Sequence, residues 1–201
     1  STHLVLNAYR DALKGSAVVE RLGLVEGGYF LVSAHREENV DHPDRLRALL
    51  DCLVAVREAY ALPVFVSTHP RTRKRLESLP EWAAPEGITF SDPLGFHDYN
   101  RLQLSAACCL SDSGTIAEES TLLGFPAVTL RDSIERPEAL DTGGILMTGL
   151  DREDVVAAVG VAMAAGNTRD GAGPRTPHDY MIENTSERAV NFILSTARRH
   201  R

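Results

Sequence analysis

The chain has 201 residues, room for one or two domains and for a real core, since a compact domain of this size buries roughly 70% of its unfolded surface. Apolar residues make up 43% and charged residues 24%, the balance of a globular protein and not of a disordered one. The formal charge of −7 has the wrong sign for a partner of nucleic-acid phosphates, and no apolar run approaches the roughly 20 residues that span a bilayer, so neither nucleic acid nor membrane is expected as a partner.

Short β-branched runs alternate with segments of helical period, the pattern of a parallel sheet covered on both faces. Leu4 to Gly23 reads as a helical lead-in within a region spanning 1–23. Strands are predicted at Tyr29 to Ala34, Pro63 to Thr68, Gly87 to Ser91, Cys108 to Ser111, Ala127 to Leu130 and Gly144 to Met147. Helices are predicted between them at His42 to Tyr60, Arg71 to Leu79, His97 to Ala107, Thr115 to Leu123 and Arg136 to Leu140. Asp151 to Ala164 opens on a cap-type Asp and carries Val155, Val156, Val159 and Met163 on one face. A Gly- and Pro-rich loop, Gly166 to Pro177, leads to a trailing helix over 184–199 that starts with cap-type residues. There is no internal repeat, so strand followed by helix about six times predicts one Rossmann-like three-layer α/β sandwich over 1–201. The start Ser1-Thr2-His3-Leu4 lacks Met and lacks a basic stretch ahead of an apolar one, which suggests the later part of a longer, cytoplasmic protein. Cys52, Cys108 and Cys109 form no CxxC pair and read as buried small hydrophobes.

In doubly wound sheets ligands sit beyond the carboxyl ends of the strands, and five turns there carry chemistry. Ser111-Asp112-Ser113-Gly114-Thr115 ends an apolar strand and opens a helix. A helix N-terminus offers unpaired N–H groups, Gly114 permits close approach, and Ser113 and Thr115 add hydroxyls, so the turn is either a phosphate seat or an ordinary cap. Glu119, one turn on, either accepts the two hydroxyls of a ribose or faces solvent. His35-Arg36-Glu37-Glu38-Asn39 offers a proton-transferring His and a phosphate-clamping Arg, which suits departure of an anionic group. Its alternative is a charged surface turn in which Asn39 or Asp41 caps the next helix. His69, in Thr68-His69-Pro70-Arg71, is a further candidate, whereas Arg73, Lys74 and Arg75 read as a solvated helix face. In Glu135-Arg136-Pro137-Glu138, Arg136 either reaches a phosphate or closes a salt-bridged turn, and Pro137 suits a first helical turn. Tyr99, after Asp92-Pro93-Leu94-Gly95, either stacks on a flat base or packs in the core. All five turns fall on one edge of one sheet, and together they describe a site for a nucleoside diphosphate. Metal-ligand spacing and a GxxxxGK[ST] loop are absent.

These blocks, His35 to Asn39, Thr68-His69-Pro70, Ser111 to Thr115 with Glu118-Glu119, and Arg131 through Glu138, resemble in order and across nearly the whole chain the non-hydrolysing UDP-N-acetylglucosamine 2-epimerases. The resemblance implies the second of two Rossmann-like domains in a GT-B arrangement, with the N-terminal domain absent. It implies a UDP-sugar substrate, no cofactor and a homodimer at full length. By position it makes His35 the catalytic His, Ser113, Gly114 and Thr115 the phosphate loop, Glu119 the ribose carboxylate, Arg36 and Arg136 phosphate-side groups, and Tyr99 and Leu94 the uracil contacts. His69 and Glu38 are possible additions. Thr115 stands where many members have a second Gly, and Glu37 where many have a second Arg. Tyr99 to Leu102, Ser113 to Thr115, Asp179-Tyr180 and Glu183 to Ser186 look more like the branch that forms UDP-N-acetyl-L-fucosamine. The family expels UDP while removing the proton at the sugar's second carbon, then re-adds it from the other face. Its sugar-side carboxylates lie mainly on the other domain, so the chain alone is expected to bind UDP without turnover. A GT-B glycosyltransferase and a nucleotide-sugar sensor are the rival readings; both share the fold, and neither exchanges the second-carbon proton.

Overall fold

The computed structural model describes residues 2–80, 82–134, 137–167 and 176–197. Each predicted strand run contains a strand: β1 Phe30–Ser33, β2 Val64–Ser67, β3 Ile88–Ser91, β4 Cys108–Ser111, β5 Ala127–Thr129 and β6 Leu146–Met147. They form one parallel sheet in the order β3-β2-β1-β4-β5-β6, with Phe30 opposite both Val64 and Cys108. Because side chains alternate across a strand, β1, β2, β4 and β5 each feed two cores. Phe30, Val32, Val66, Leu110 and Val128 pack under α4 Pro43–Tyr60 and α9 Arg152–Asn167, where Leu53, Val56, Val155 and Val159 meet them. Tyr29, Leu31, Phe65 and Cys109 face the other way, toward α2 Val18–Arg21, α6 Phe96–Ser105 and α7 Ile116–Leu123. Each fully buried Leu, Val or Phe contributes about 1.5–3 kcal/mol, so these double-sided strands are the stability of the domain.

The remaining elements are α1 Thr2–Lys14, α3 Glu37–Val40, α5 Pro70–Glu77, α8 Glu138–Asp141, a 3-10 turn His178–Met181 and α10 Thr185–Thr196. The helical lead-in is thus two helices parted by Gly15-Ser16-Ala17; this linker is tied to α6 by Ser16 Oγ donating to Asp98 Oδ1 at 2.6 Å, and α2 by Arg21 pairing with Asp98 Oδ2 at 2.5 Å. α7 stops at Gly124, whose φ of 83° lets its N–H reach back to Ser120 O at 2.8 Å, a conformation that a side chain would strain. Asp151 caps α9 as expected, its Oδ1 accepting from the N–H groups of Glu153 and Asp154.

Neither Asn39 nor Asp41 caps the helix that follows. His42 stands at that N-cap without a side-chain bond, Pro43 supplies the first turn, and Asn39 is fully buried in the short helix α3. Of the predicted loop Gly166 to Pro177, positions 168–175 lie outside the described residues, as do Glu135 and Arg136 and the last four positions of the chain. Thr176, past that gap, donates to Thr121 O at 2.9 Å. α10 buries no residue and leaves Val190, Phe192, Ile193 and Leu194 exposed. Among the described residues no helix is long and apolar enough to cross a membrane.

All six carboxyl ends point to one edge, and the chain turns opposite ways from the β1/β4 pair. That makes the β1/β4 edge the crevice of the sheet.

Candidate functional site

The crevice is organised by a fully buried carboxylate. β4 ends at Ser111, and the next residue extends the ladder by donating its N–H to Ser33 O at 3.2 Å, which carries the Asp112 side chain beneath the β1 turn. There it accepts the backbone N–H of His35 at 3.0 and 3.1 Å, that of Arg36 at 2.9 Å, and the Nδ2 of Asn39 at 3.2 Å. Asn39 uses the same nitrogen on Leu130 O at 2.9 Å and accepts Arg45 Nη2 on its oxygen at 2.9 Å. A buried charge is tolerated only when its lone pairs are filled by such donors, and each bond to an ionised group is about twice as strong as a neutral one. The β1 turn is therefore locked to β4 and β5.

His35 leaves this turn with its side chain 40% exposed and its Nδ1 3.5 Å from Asp112 Oδ1. The carboxylate faces Nδ1, which leaves Nε2 as the ring nitrogen not turned to Asp112. The ring of His69 lies beside it, centroids 5.8 Å apart and planes 37° off. His69 caps α5: its Nδ1 accepts Arg71 N at 3.2 Å, which places the proton of the neutral ring on Nε2. The two turns are joined at the surface by Arg71, which bonds Glu37 at 2.7 Å and Asp41 at 2.6 Å, while Arg75 reaches Asp41 at 3.2 Å. The guanidinium groups hold the Asp41 carboxyl below the usual carboxylate range. The predicted solvated basic face of α5 is thus partly paired, Arg73 also meeting Asp92 at 3.0 Å.

Across the crevice, Arg36 Nη2 sits 3.0 Å from where a Cβ on Gly114 would stand, so the missing side chain admits the guanidinium to the α7 turn. In that turn Ser113 Oγ and Thr115 Oγ1 are 3.0 Å apart, and Thr115 Oγ1 donates to Glu119 Oε1 at 2.7 Å. Glu119 Oε2 accepts Gln103 Nε2 at 2.7 Å. Tyr99 is half-buried against the second core, with its hydroxyl bonded to Ser33; burial, more than any neighbouring charge, pushes that hydroxyl's pKa up. Leu94 packs on the same core. Glu38 is engaged by the buried Arg131, Nε to Oε1 at 3.2 Å.

The structure thus brings His35, Arg36, His69, Ser113, Gly114, Thr115 and Glu119 to one rim, with Tyr99 and Leu94 behind it; Arg136 lies outside the described residues. A cavity of about 800 Å³ between α4 and α9, lined by Ala48, Asp51 and Val156 among others, includes none of them. Asp112, Asn39 and Gln103 were not singled out as site residues from the sequence. The available signals were a carboxylate closing the apolar strand CCLS and, for Gln103, a polar residue one helical turn after Tyr99. Among the described residues no cluster of three His, Cys, Asp or Glu side chains could hold a metal ion. The three cysteines are buried and free, their thiols pushed up by burial, Cys52 to about 11 and Cys108 to about 12, which excludes them as nucleophiles near neutral pH.

The profile of the UDP-N-acetylglucosamine 2-epimerases matches residues 3–194. The chain belongs to that family. A UDP-N-acetylglucosamine 2-epimerase of Methanocaldococcus jannaschii is 33% identical over 143 residues, 70% of this chain and 39% of that protein. A UDP-N-acetylglucosamine 2-epimerase from Rickettsia bellii superposes with a TM-score of 0.80 at 34% identity, over 95% of this chain and 50% of that one. A Methanocaldococcus jannaschii epimerase solved with UDP-GlcNAc and UDP gives 0.72 at 28% identity, over 92% and 50%. The chain therefore spans about half or less of the length of these relatives. Its Rossmann-like α/β sandwich is the fold expected of a GT-B epimerase domain.

Proposed function

We propose that this chain is the UDP-binding half of a UDP-sugar 2-epimerase, acting by expulsion and re-addition of UDP with inversion at the sugar's second carbon. The supporting observation is the meeting, at the β1/β4 crevice, of the His35-Arg36 turn, held by Asp112, with the Ser113 to Thr115 turn that follows the same residue. The M. jannaschii relative, solved with UDP-GlcNAc and UDP, supports the ligand class. The pyrophosphate lies between Arg36 and the α7 turn, where it takes the Ser113 hydroxyl and the backbone N–H groups of Gly114 and Thr115; Arg136 is a further phosphate-side group, as the family resemblance implies. Glu119 accepts the ribose hydroxyls, Tyr99 and Leu94 bound the uracil, and Nε2 of His35 faces the bond from the sugar's first carbon to the leaving phosphate oxygen. As that bond breaks, charge grows on the oxygen, and every ~1.4 kcal/mol of added stabilisation there is tenfold in rate. The second-carbon proton goes to a base outside this chain, in an N-terminal domain that completes the cleft and the homodimer. His69 and Glu38 support the rim without touching the sugar. The substrate is a cytoplasmic UDP-N-acetylglucosamine or a 6-deoxy relative of it.

Titration calorimetry of the chain with UDP should give saturable binding that Arg36→Ala with Ser113→Ala weakens at least tenfold. Absence of binding, or equal affinity in the double variant, would reject the reading. Deuterium should not enter the sugar's second carbon when the chain is incubated alone with UDP-N-acetylglucosamine in heavy water; incorporation would place the base here instead.

A further inference from the structure

Behind the α7 turn lies a residue the mechanism above does not use. Gln103 sits one helical turn after Tyr99 on α6, on the same face, and is fully buried. Its Nε2 donates to Glu119 Oε2 at 2.7 Å, and since an ionised carboxylate only accepts, the amide nitrogen must be the atom that faces it. On the other oxygen, Oε1, Glu119 accepts Thr115 Oγ1 at 2.7 Å. The carboxylate is thus gripped once on each oxygen, from two different elements, and each oxygen retains a further lone pair. Gln103 gains nothing else by this burial: its own Oε1 has no hydrogen-bond partner among the described residues. A Leu would fill the space without stranding an acceptor, so core packing does not explain an amide here.

We infer that Gln103 is a positioning residue: it fixes the Glu119 carboxylate with its two remaining lone pairs presented to a vicinal diol, and so sets how strongly the site prefers ribose to deoxyribose. The inference rests on the assignment of Glu119 to the ribose. Freed of Gln103, the carboxylate turns about its last torsion with only Thr115 to hold it, and binding a diol then costs the ordering that Gln103 has already imposed. The link also ties α6, which carries Tyr99, to α7, so base and ribose contacts are held in one frame.

The test is calorimetry of the full chain with UDP and with 2′-deoxy-UDP. Gln103→Leu should weaken UDP about tenfold, the worth of one charge-assisted hydrogen bond, and 2′-deoxy-UDP by less than about twofold, so that the preference for ribose collapses. Gln103→Asn, one methylene too short to reach Glu119, should do the same while keeping an amide in place, which guards against a variant that simply fails to fold. In a Glu119→Ala background Gln103→Asn should change neither affinity. An equal loss for both nucleotides, or no loss, overturns the positioning role while leaving the ribose assignment standing. If Glu119→Ala itself leaves UDP affinity intact, the ribose assignment fails, and the role of Gln103 fails with it.

Discussion

On the β1–β2 bank of the crevice the turns are tied by ion pairs at the surface, Arg71 to Glu37 and Asp41, with Arg71 38% exposed. Toward β4, the β1 turn hangs instead on a carboxylate with no exposed surface at all, Asp112, whose donors are backbone and buried amide groups. The contrast lies in what water can replace. A surface pair dissolved into solvent loses at most about 1 kcal/mol, because water and salt already compete for it. A buried acceptor that is removed strands every donor it served, at about 1–3 kcal/mol each. The crevice thus has a firm join, between the β1 turn and β4, and an adjustable one, between that turn and α5, the helix that His69 caps.

The largest effect should come from the firm join. Asp112→Ala leaves the N–H groups of His35 and Arg36 and one bond of Asn39 unmet, so urea denaturation should show a loss of at least ~3 kcal/mol, together with loss of UDP binding. A smaller loss than for an exposed substitution would erase the contrast.

Next comes Gly114→Ala, where the new Cβ meets Arg36 Nη2 at 3.0 Å. The guanidinium is flexible and can yield, so the melting temperature should stay within about 2 °C while UDP affinity falls several-fold. A change confined to stability would show that Arg36 does not face the ligand.

The adjustable join should respond weakly. Arg71→Gln is expected to cost less than about 1 kcal/mol, most visibly at low salt, and raising salt should mask the difference from the parent. Acid should probe the same pairs: because the Asp41 carboxyl sits below its usual range, its ion pairs contribute fully above about pH 4 and disappear as pH falls through the lower folded value. Asp98, held down first by Ser16 and then by Arg21, should behave alike and loosen α2. A melting-temperature profile from pH 6 to 2 should therefore fall only at its acid end, and less steeply in Arg71→Gln. Thiol labelling is expected to change nothing until unfolding: at pH 8 none of the three buried cysteines should react, and all three should in denaturant.

Much of the architecture was legible in the linear pattern. The runs around Leu31, Val66, Ile88, Leu110, Val128 and Leu146 are short and apolar, bounded by breakers, and separated by helical spacing; period and propensity are local properties, so all six strands could be read in place. The loud residues at the strand ends were legible too, because parallel strands put every carboxyl end on one edge. The role of Asn39 was not: the sequence offers it as an exposed cap, and only the approach of Asp112 and Leu130 from more than seventy residues away makes it a buried donor. Gln103 was equally opaque, since a glutamine in a helix reads as solvent-facing until another helix arrives with a carboxylate.

By itself, the order of apolar and polar residues determined a parallel Rossmann-like sheet with a polar rim and, through its motifs, the family. Tertiary structure alone decided which groups on that rim hold it and which remain turned outward. Hydrogen bonds between turns distant in sequence leave no period in the chain, and whether a carboxylate is an anchor or a ligand contact depends on the donors that folding brings to it.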